Sequence, residues 1–121
     1  MLAAEMVAET KAAGMTLRER LEELFYKFGC HAEKTISVYK RGESGMEEML
    51  AVMDRLREHP PEVLADMRVV GIRDFLKQTV TDRSGNCKSL DAPVGNLLIL
   101  DFQADGNYVA VRPSGTEPKI K

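Results

Sequence analysis

The run NLLILDFQADGNYVAV, Asn96 to Val111, leaves a chain of this length little choice of fold. Its first half, Asn96 to Gln103, is almost continuously apolar, the mark of a strand buried at the centre of a sheet. Asp105-Gly106 is a strong tight-turn pair, and Tyr108 to Val111 reads as the returning partner strand. The remaining elements must be arranged around that hairpin.

Upstream, two helices are expected before residue 30. Leu2, Ala3, Met6 and Val7 make a short apolar face that Gly14 ends. Thr16 and Glu19 then have the spacing of a capping box. Leu17, Leu21, Leu24, Phe25 and Phe28 share one face of the second helix, and Gly29 is expected as its left-handed stop. Cys30 to Glu33 reads as a brief join.

From Lys34 the period shortens. KTISVY places Ile36 and Val38 on one side of a half-buried strand, with Thr35, Ser37 and Tyr39 on the other. A third helix is expected to open at Ser44 with Glu47 in a second capping box. Its buried stripe would be Met46, Met49, Leu50, Met53 and Leu56. His59-Pro60-Pro61 breaks it, and a short helical turn is expected over Glu62 to Asp66. Arg68 to Val80 reads as one long strand with Val70, Ile72 and Phe75 facing inward, and Asp82 to Gly95 as a polar, turn-rich excursion. Antiparallel strands with helices to one side predict an α+β domain.

The 121 residues suit one ordinary domain with a small appendage. A formal net charge of −2, without a basic stripe, gives no support to nucleic-acid binding. No apolar run approaches a membrane span, so no membrane partner is expected. The N-terminus lacks the basic region of a signal peptide. Cys30 and Cys87 are far apart and read as free thiols in a reducing cytoplasm. With His31 and His59 they show no metal-ligand spacing, and no metal site is expected.

VRPSGTEPK, Val111 to Lys119, is too polar for a strand and too broken for a helix. Arg112 follows a strand and presents a planar fork that matches two oxygens of a phosphate. Pro113 restricts the loop, Ser114 and Thr116 add hydroxyls, and Gly115 lets main-chain amides approach an anion. Such a turn offers about five donors in a concave nest. The plain alternative is a turn after an edge strand. Glu117 would face solvent or pair with a lysine. Ser114 lacks both the GxSxG setting and a histidine base that a nucleophile needs.

RPSGTEPKIK, Arg112 to Lys121, resembles the C-terminal phosphate-binding loop of the α-D-phosphohexomutases, the phosphoglucomutase and phosphomannomutase superfamily. Lys34 to Lys121 also resembles that family's last domain, an antiparallel sheet of four-stranded type with helices on one face (TATA-binding-protein-like). Residues 1–30 resemble the closing helices of the preceding, third domain. By this resemblance Arg112, Ser114, Gly115 and Thr116 would contact the substrate phosphate, with Lys119 a lesser candidate. The family's enzymes are cytoplasmic four-domain isomerases, intramolecular phosphotransferases that interconvert sugar 1- and 6-phosphates. A phosphoserine, Mg²⁺ and a sugar bisphosphate take part, and the phosphosugar and the other domains are the implied partners.

GESG, Gly42 to Gly45, is similar to the family's sugar-recognition loop. It is one residue short and follows the third-domain helices, so Ser44 reads as a helix cap instead. No phosphoserine motif or DGDGDR metal loop occurs, and the chain stops where the family continues into a further strand and helix. It is therefore expected to be a C-terminal, phosphate-binding piece that is not catalytic alone. The alternative is a free-standing, non-catalytic phosphate- or partner-binding module.

Overall fold

A computed structural model describes residues 2–40, 42 and 44–121. The chain divides into two compact units, Met1–Lys34 and Thr35–Lys121.

The first unit contains α1, Leu2–Ala12, and α2, Leu17–Phe28. Gly14 takes φ 71°, the left-handed value that ends α1 without a Cβ clash. The capping box at α2 forms as expected. The Thr16 hydroxyl accepts from the Glu19 amide at 3.2 Å, and the Thr16 amide donates to Glu19 Oε2 at 2.7 Å. The amide bond, with help from the hydroxyl, holds the Glu19 carboxyl below its ordinary pKa. Gly29 stops α2 with positive φ but extended ψ, 91° and 161°, so its conformation is not the helical left-handed one expected.

The second unit is α+β. Its main sheet is antiparallel, in the order β5-β4-β3-β6-β7. Here β3 is Met67–Asp74, β4 Thr79–Asp82, β5 Cys87–Ser89, β6 Leu98–Phe102 and β7 Tyr108–Val111. The β6-β7 hairpin turns at Asp105-Gly106, with Gly106 at φ 78°. Leu98, Leu100 and Phe102 point to one face and are buried. Each contributes about 1.5–3 kcal/mol by leaving water. Helix α3, Gly45–Glu58, buries Met49 and Met53, and near its C-terminal end Arg57 lies beside Ile72, Asp74 and Leu98 of the main sheet. Leu50, expected in the buried stripe, is exposed at the helix edge.

Several boundaries differ from expectation, each for a local reason. The stretch 34–39 keeps only Val38–Tyr39 as a strand, β1, and Ile36, Val38 and Tyr39 are exposed. Among the described residues its only strand partner is β8, Lys119–Ile120, so the alternation of KTISVY meets no second sheet neighbour there. No capping box forms at Ser44. Its backbone is already helical, and its hydroxyl donates to Glu48 Oε1 at 2.9 Å. Lys40 reaches the same carboxylate at 2.8 Å. Within GESG, Glu43 lies outside the described residues.

The helical turn expected over residues 62–66 is a β-hairpin. β2, Val63–Leu64, pairs with Met67–Arg68 across Ala65 and Asp66, which have φ of 48° and 62°. Positive φ at both central positions is the I′ pattern, here without the usual Asn-Gly. The long strand expected over 68–80 is also a hairpin. Asp74 Oδ1 accepts from the Leu76 and Lys77 amides at 2.9 and 3.2 Å, which turns the chain between β3 and β4. A bulge between Val69 and Gly71 resets the alternation of β3. Val69 and Ile72 therefore join the core with Leu100 and Phe102, while Val70 does not. Finally, the excursion 82–95 contributes the edge strand β5, so the sheet is wider than the four-stranded type.

Candidate functional site

The residues 112–121 form a closed hairpin after β7. Arg112 and Lys121 exchange both main-chain hydrogen bonds, at 3.0 and 2.9 Å. One step inward, the Ser114 amide donates to the Lys119 carbonyl at 2.8 Å. Pro113 and Ile120 bridge between these pairs. The hairpin is held from outside as well, because Ile120 and Lys119 pair with Val38 and Tyr39 of β1. The Lys40 amide also donates to the Pro118 carbonyl at 2.9 Å.

Beyond the Ser114–Lys119 pair, the amides of Gly115, Thr116 and Glu117 meet no main-chain acceptor among the described residues. Successive amides of this kind are the raw material of an anion nest. The Arg112 guanidinium forms no ion pair or hydrogen bond with another described side chain. Lys119 is already engaged: its ammonium pairs with Glu117 and lies 5.2 Å from the Tyr39 ring centre. The Glu117 contact raises the pKa of Lys119, and the same contact lowers that of Glu117. Glu117 thus takes the lysine partner expected for it.

Arg112, Ser114 and Gly115 border an open depression of about 740 Å³. Thr116 sits on the same loop but outside its lining. The rest of the lining comes from Pro113, from a wall of Phe75, Pro93, Gly95, Asn96 and Leu97, and from Met46 and Leu50 of α3. No carboxylate among the described residues lines the depression, which favours an anion there. The wall residues had no polar signature in the sequence. Phe75 and the Met46/Leu50 pair read there as ordinary core.

The start of α3 lies close to the loop. A Cβ on Gly45 would stand 2.8 Å from the Lys40 carbonyl oxygen and 2.9 Å from Pro118 Cβ. Only glycine fits so near the backbone, and Gly45 is buried. The helix N-terminus, whose dipole favours negative charge, is thereby kept near the hairpin.

Among the described residues no three His, Cys, Asp or Glu side chains converge as metal ligands. Cys30 and Cys87 are free and exposed. No helix among the described residues is long and apolar enough to cross a membrane.

No protein-family model and no solved structure matches the chain. Curated proteins do. The chain is 33% identical over 115 residues to a phosphoglucomutase of Staphylococcus aureus, an alignment that covers 94% of this chain. It is 32% identical over 113 residues to a phosphoglucomutase of Staphylococcus haemolyticus, covering 92% of this chain. The chain spans about a fifth of the length of these relatives, 20% in both cases. Over nearly all of its residues, then, the chain is similar to phosphoglucomutases, and the likeness supports a C-terminal fragment of a phosphoglucomutase-type enzyme.

Proposed function

We propose that residues 34–121 are the substrate-phosphate-binding domain of a cytoplasmic phosphohexomutase, with residues 1–30 belonging to its third domain. In this reading the sheet is of the TATA-binding-protein-like class. Arg112, Ser114, Gly115 and Thr116 grip the phosphate of a phosphosugar that is not reacting. The parent enzyme moves the other phosphate between the 1- and 6-positions, by way of a sugar bisphosphate, while this loop holds the substrate in place. Binding energy gathered at the remote phosphate positions the reacting end.

One observation carries the reading: the Arg112 guanidinium, unpaired among the described residues, and Gly115, whose amide meets no main-chain acceptor there, border a depression lined by no described carboxylate. The Mg²⁺ associated with the family has no fitting ligand set among the described residues, and no step of this chain runs through it. The catalytic phosphoserine and the sugar-reading loop are assigned to the other domains, which are the domain's partners.

An amide-resolved NMR titration with glucose 1-phosphate and with inorganic phosphate tests the proposal. Saturable shifts confined to residues 112–116, lost in Arg112→Ala, are expected. A loop that stays silent at millimolar ligand while the domain is folded would leave it a plain turn.

A further inference from the structure

Arg57, near the C-terminal end of α3, is almost fully buried, with 4% of its side chain exposed. It extends toward three partners. Nη1 donates to Asp54 Oδ1 at 3.1 Å, and Nη2 donates to Asn96 Oδ1. Nε approaches Asp74 Oδ2 at 3.3 Å without a hydrogen bond. Asp54 is on the surface, whereas Asn96 lines the depression beside the phosphate loop and Asp74 directly precedes Phe75, which lines it too. Asp74 shapes the turn that starts with Phe75, and Asn96 lies between Gly95 and Leu97. Those segments are stitched together by Phe75 N to Leu97 O at 3.0 Å and Gly95 N to Phe75 O at 3.3 Å. Arg57 itself does not line the depression.

A cation this deeply buried needs partners on every side, so its fork fixes where those partners sit. We infer that Arg57 is a positioning residue: it sets the Phe75/Gly95–Leu97 wall, and the carbon-bearing part of a phosphate monoester rests on that wall. The inference rests on the phosphate-site reading above and adds to it a division of labour. The loop holds the phosphoryl group, and the wall, largely apolar with the one amide of Asn96, meets what is attached to it. Affinity for free phosphate then depends on the loop alone, whereas preference for an ester over free phosphate depends on Arg57.

The test compares dissociation constants for inorganic phosphate and glucose 1-phosphate, by NMR titration, in four forms of this chain. Wild type should bind the ester more tightly. Arg57→Lys keeps a charge beside Asp74 but cannot fork to Asn96 as well, and Asn96→Ala removes the acceptor on the wall. Both should lose roughly three- to tenfold of the ester preference, the worth of about one hydrogen bond. Their constants for inorganic phosphate should stay as in wild type, which a general loss of structure would not allow. Asp54→Ala, cutting only the exposed arm, should change neither constant. If Arg57→Lys does not fold, Asn96→Ala carries the comparison. An ester preference that survives in the folded variants, or none in wild type while inorganic phosphate binds, overturns the role of the wall and leaves the loop standing. A wild type that binds neither ligand removes the phosphate-site reading and this inference together.

Discussion

Arg73 and Asp101 meet as a two-point pair across β3 and β6, with Nε to Oδ2 at 2.9 Å and Nη2 to Oδ1 at 2.5 Å. Gly71, the register partner of Asp101, carries no side chain there, and the Tyr108 ring lies 5.6 Å from the Arg73 guanidinium. The pair sits on the sheet face opposite Leu98 and Leu100. Both side chains are about a third exposed, so water weakens the attraction without removing it. A double-mutant cycle with Arg73→Ala and Asp101→Ala, followed by urea unfolding, should give a coupling of about 1 kcal/mol. A coupling near zero would mean that the geometry contributes nothing to stability.

Gly45→Ala should be costly. The added Cβ meets a backbone oxygen and a proline ring carbon at distances that real contacts do not tolerate. Either α3 or the 112–121 hairpin must shift, at a cost of about 1–3 kcal/mol by analogy with overpacked cores. Urea unfolding measures the loss, and amide shifts at Ser114 to Lys119 show whether the hairpin moved. Unchanged stability would show that the close approach is slack.

The I′ turn at Ala65-Asp66 places an alanine in a left-handed conformation that disfavours it. Alanine in the left-handed region costs about 1–2 kcal/mol. Replacing the pair by Asn-Gly, through Ala65→Asn and Asp66→Gly, should therefore raise the unfolding free energy by about 1 kcal/mol. A fall in stability would mean that Ala65 or Asp66 has a role beyond the turn.

Glu19 links helix α2 to pH. Its folded carboxyl lies below the ordinary value of 4.5, because the charged form accepts the Thr16 amide and hydroxyl. The contribution of the capping box is thus complete above the unfolded value and disappears as pH falls through the lower, folded one. The Thr16 amide resonance should report that midpoint, below that of a free glutamate, and Thr16→Ala should move it back up.

Arg112→Ala removes a side chain without intramolecular partners among the described residues, so the thermal midpoint should hold. Its main-chain pairing with Lys121 does not depend on the side chain. Phosphate affinity should fall about ten- to hundredfold, the size of one lost charge-assisted contact. A matching loss of stability would instead make Arg112 structural.

The elements legible in the sequence were those fixed by short-range chemistry. The Thr16–Glu19 box, the apolar run of β6 and the Asp105-Gly106 turn each carry their own signal within a few residues. What stayed hidden depended on partners far away in sequence. β1 is short because, among the described residues, β8 alone pairs with it, and β5 is a strand because β4 offers an edge. The Ala65-Asp66 and Asp74 turns lack the usual glycine or asparagine, so two hairpins read as a helical turn and a continuous strand. The bulge at Val70 exchanged which valine is buried, which no alternation rule foresees. At the candidate site the loop donors were readable from their residue types. The wall facing them was not, because Phe75, Gly95 and Leu97 become a surface only once two distant turns are side by side.

The two ladder closures at Arg112–Lys121 and Ser114–Lys119, with the bonds to the Glu117 and Pro118 carbonyls, leave only Gly115 and Thr116 of residues 115–118 without a main-chain hydrogen bond among the described residues. A segment so short, closed by Pro118, retains few shapes when the site is empty. Most of its disorder is thus surrendered when the domain folds rather than when an anion arrives. Capture should then be fast, with little reorganisation of the backbone, and the temperature dependence of binding should reflect the shedding of water from phosphate and guanidinium more than the freezing of a flexible chain.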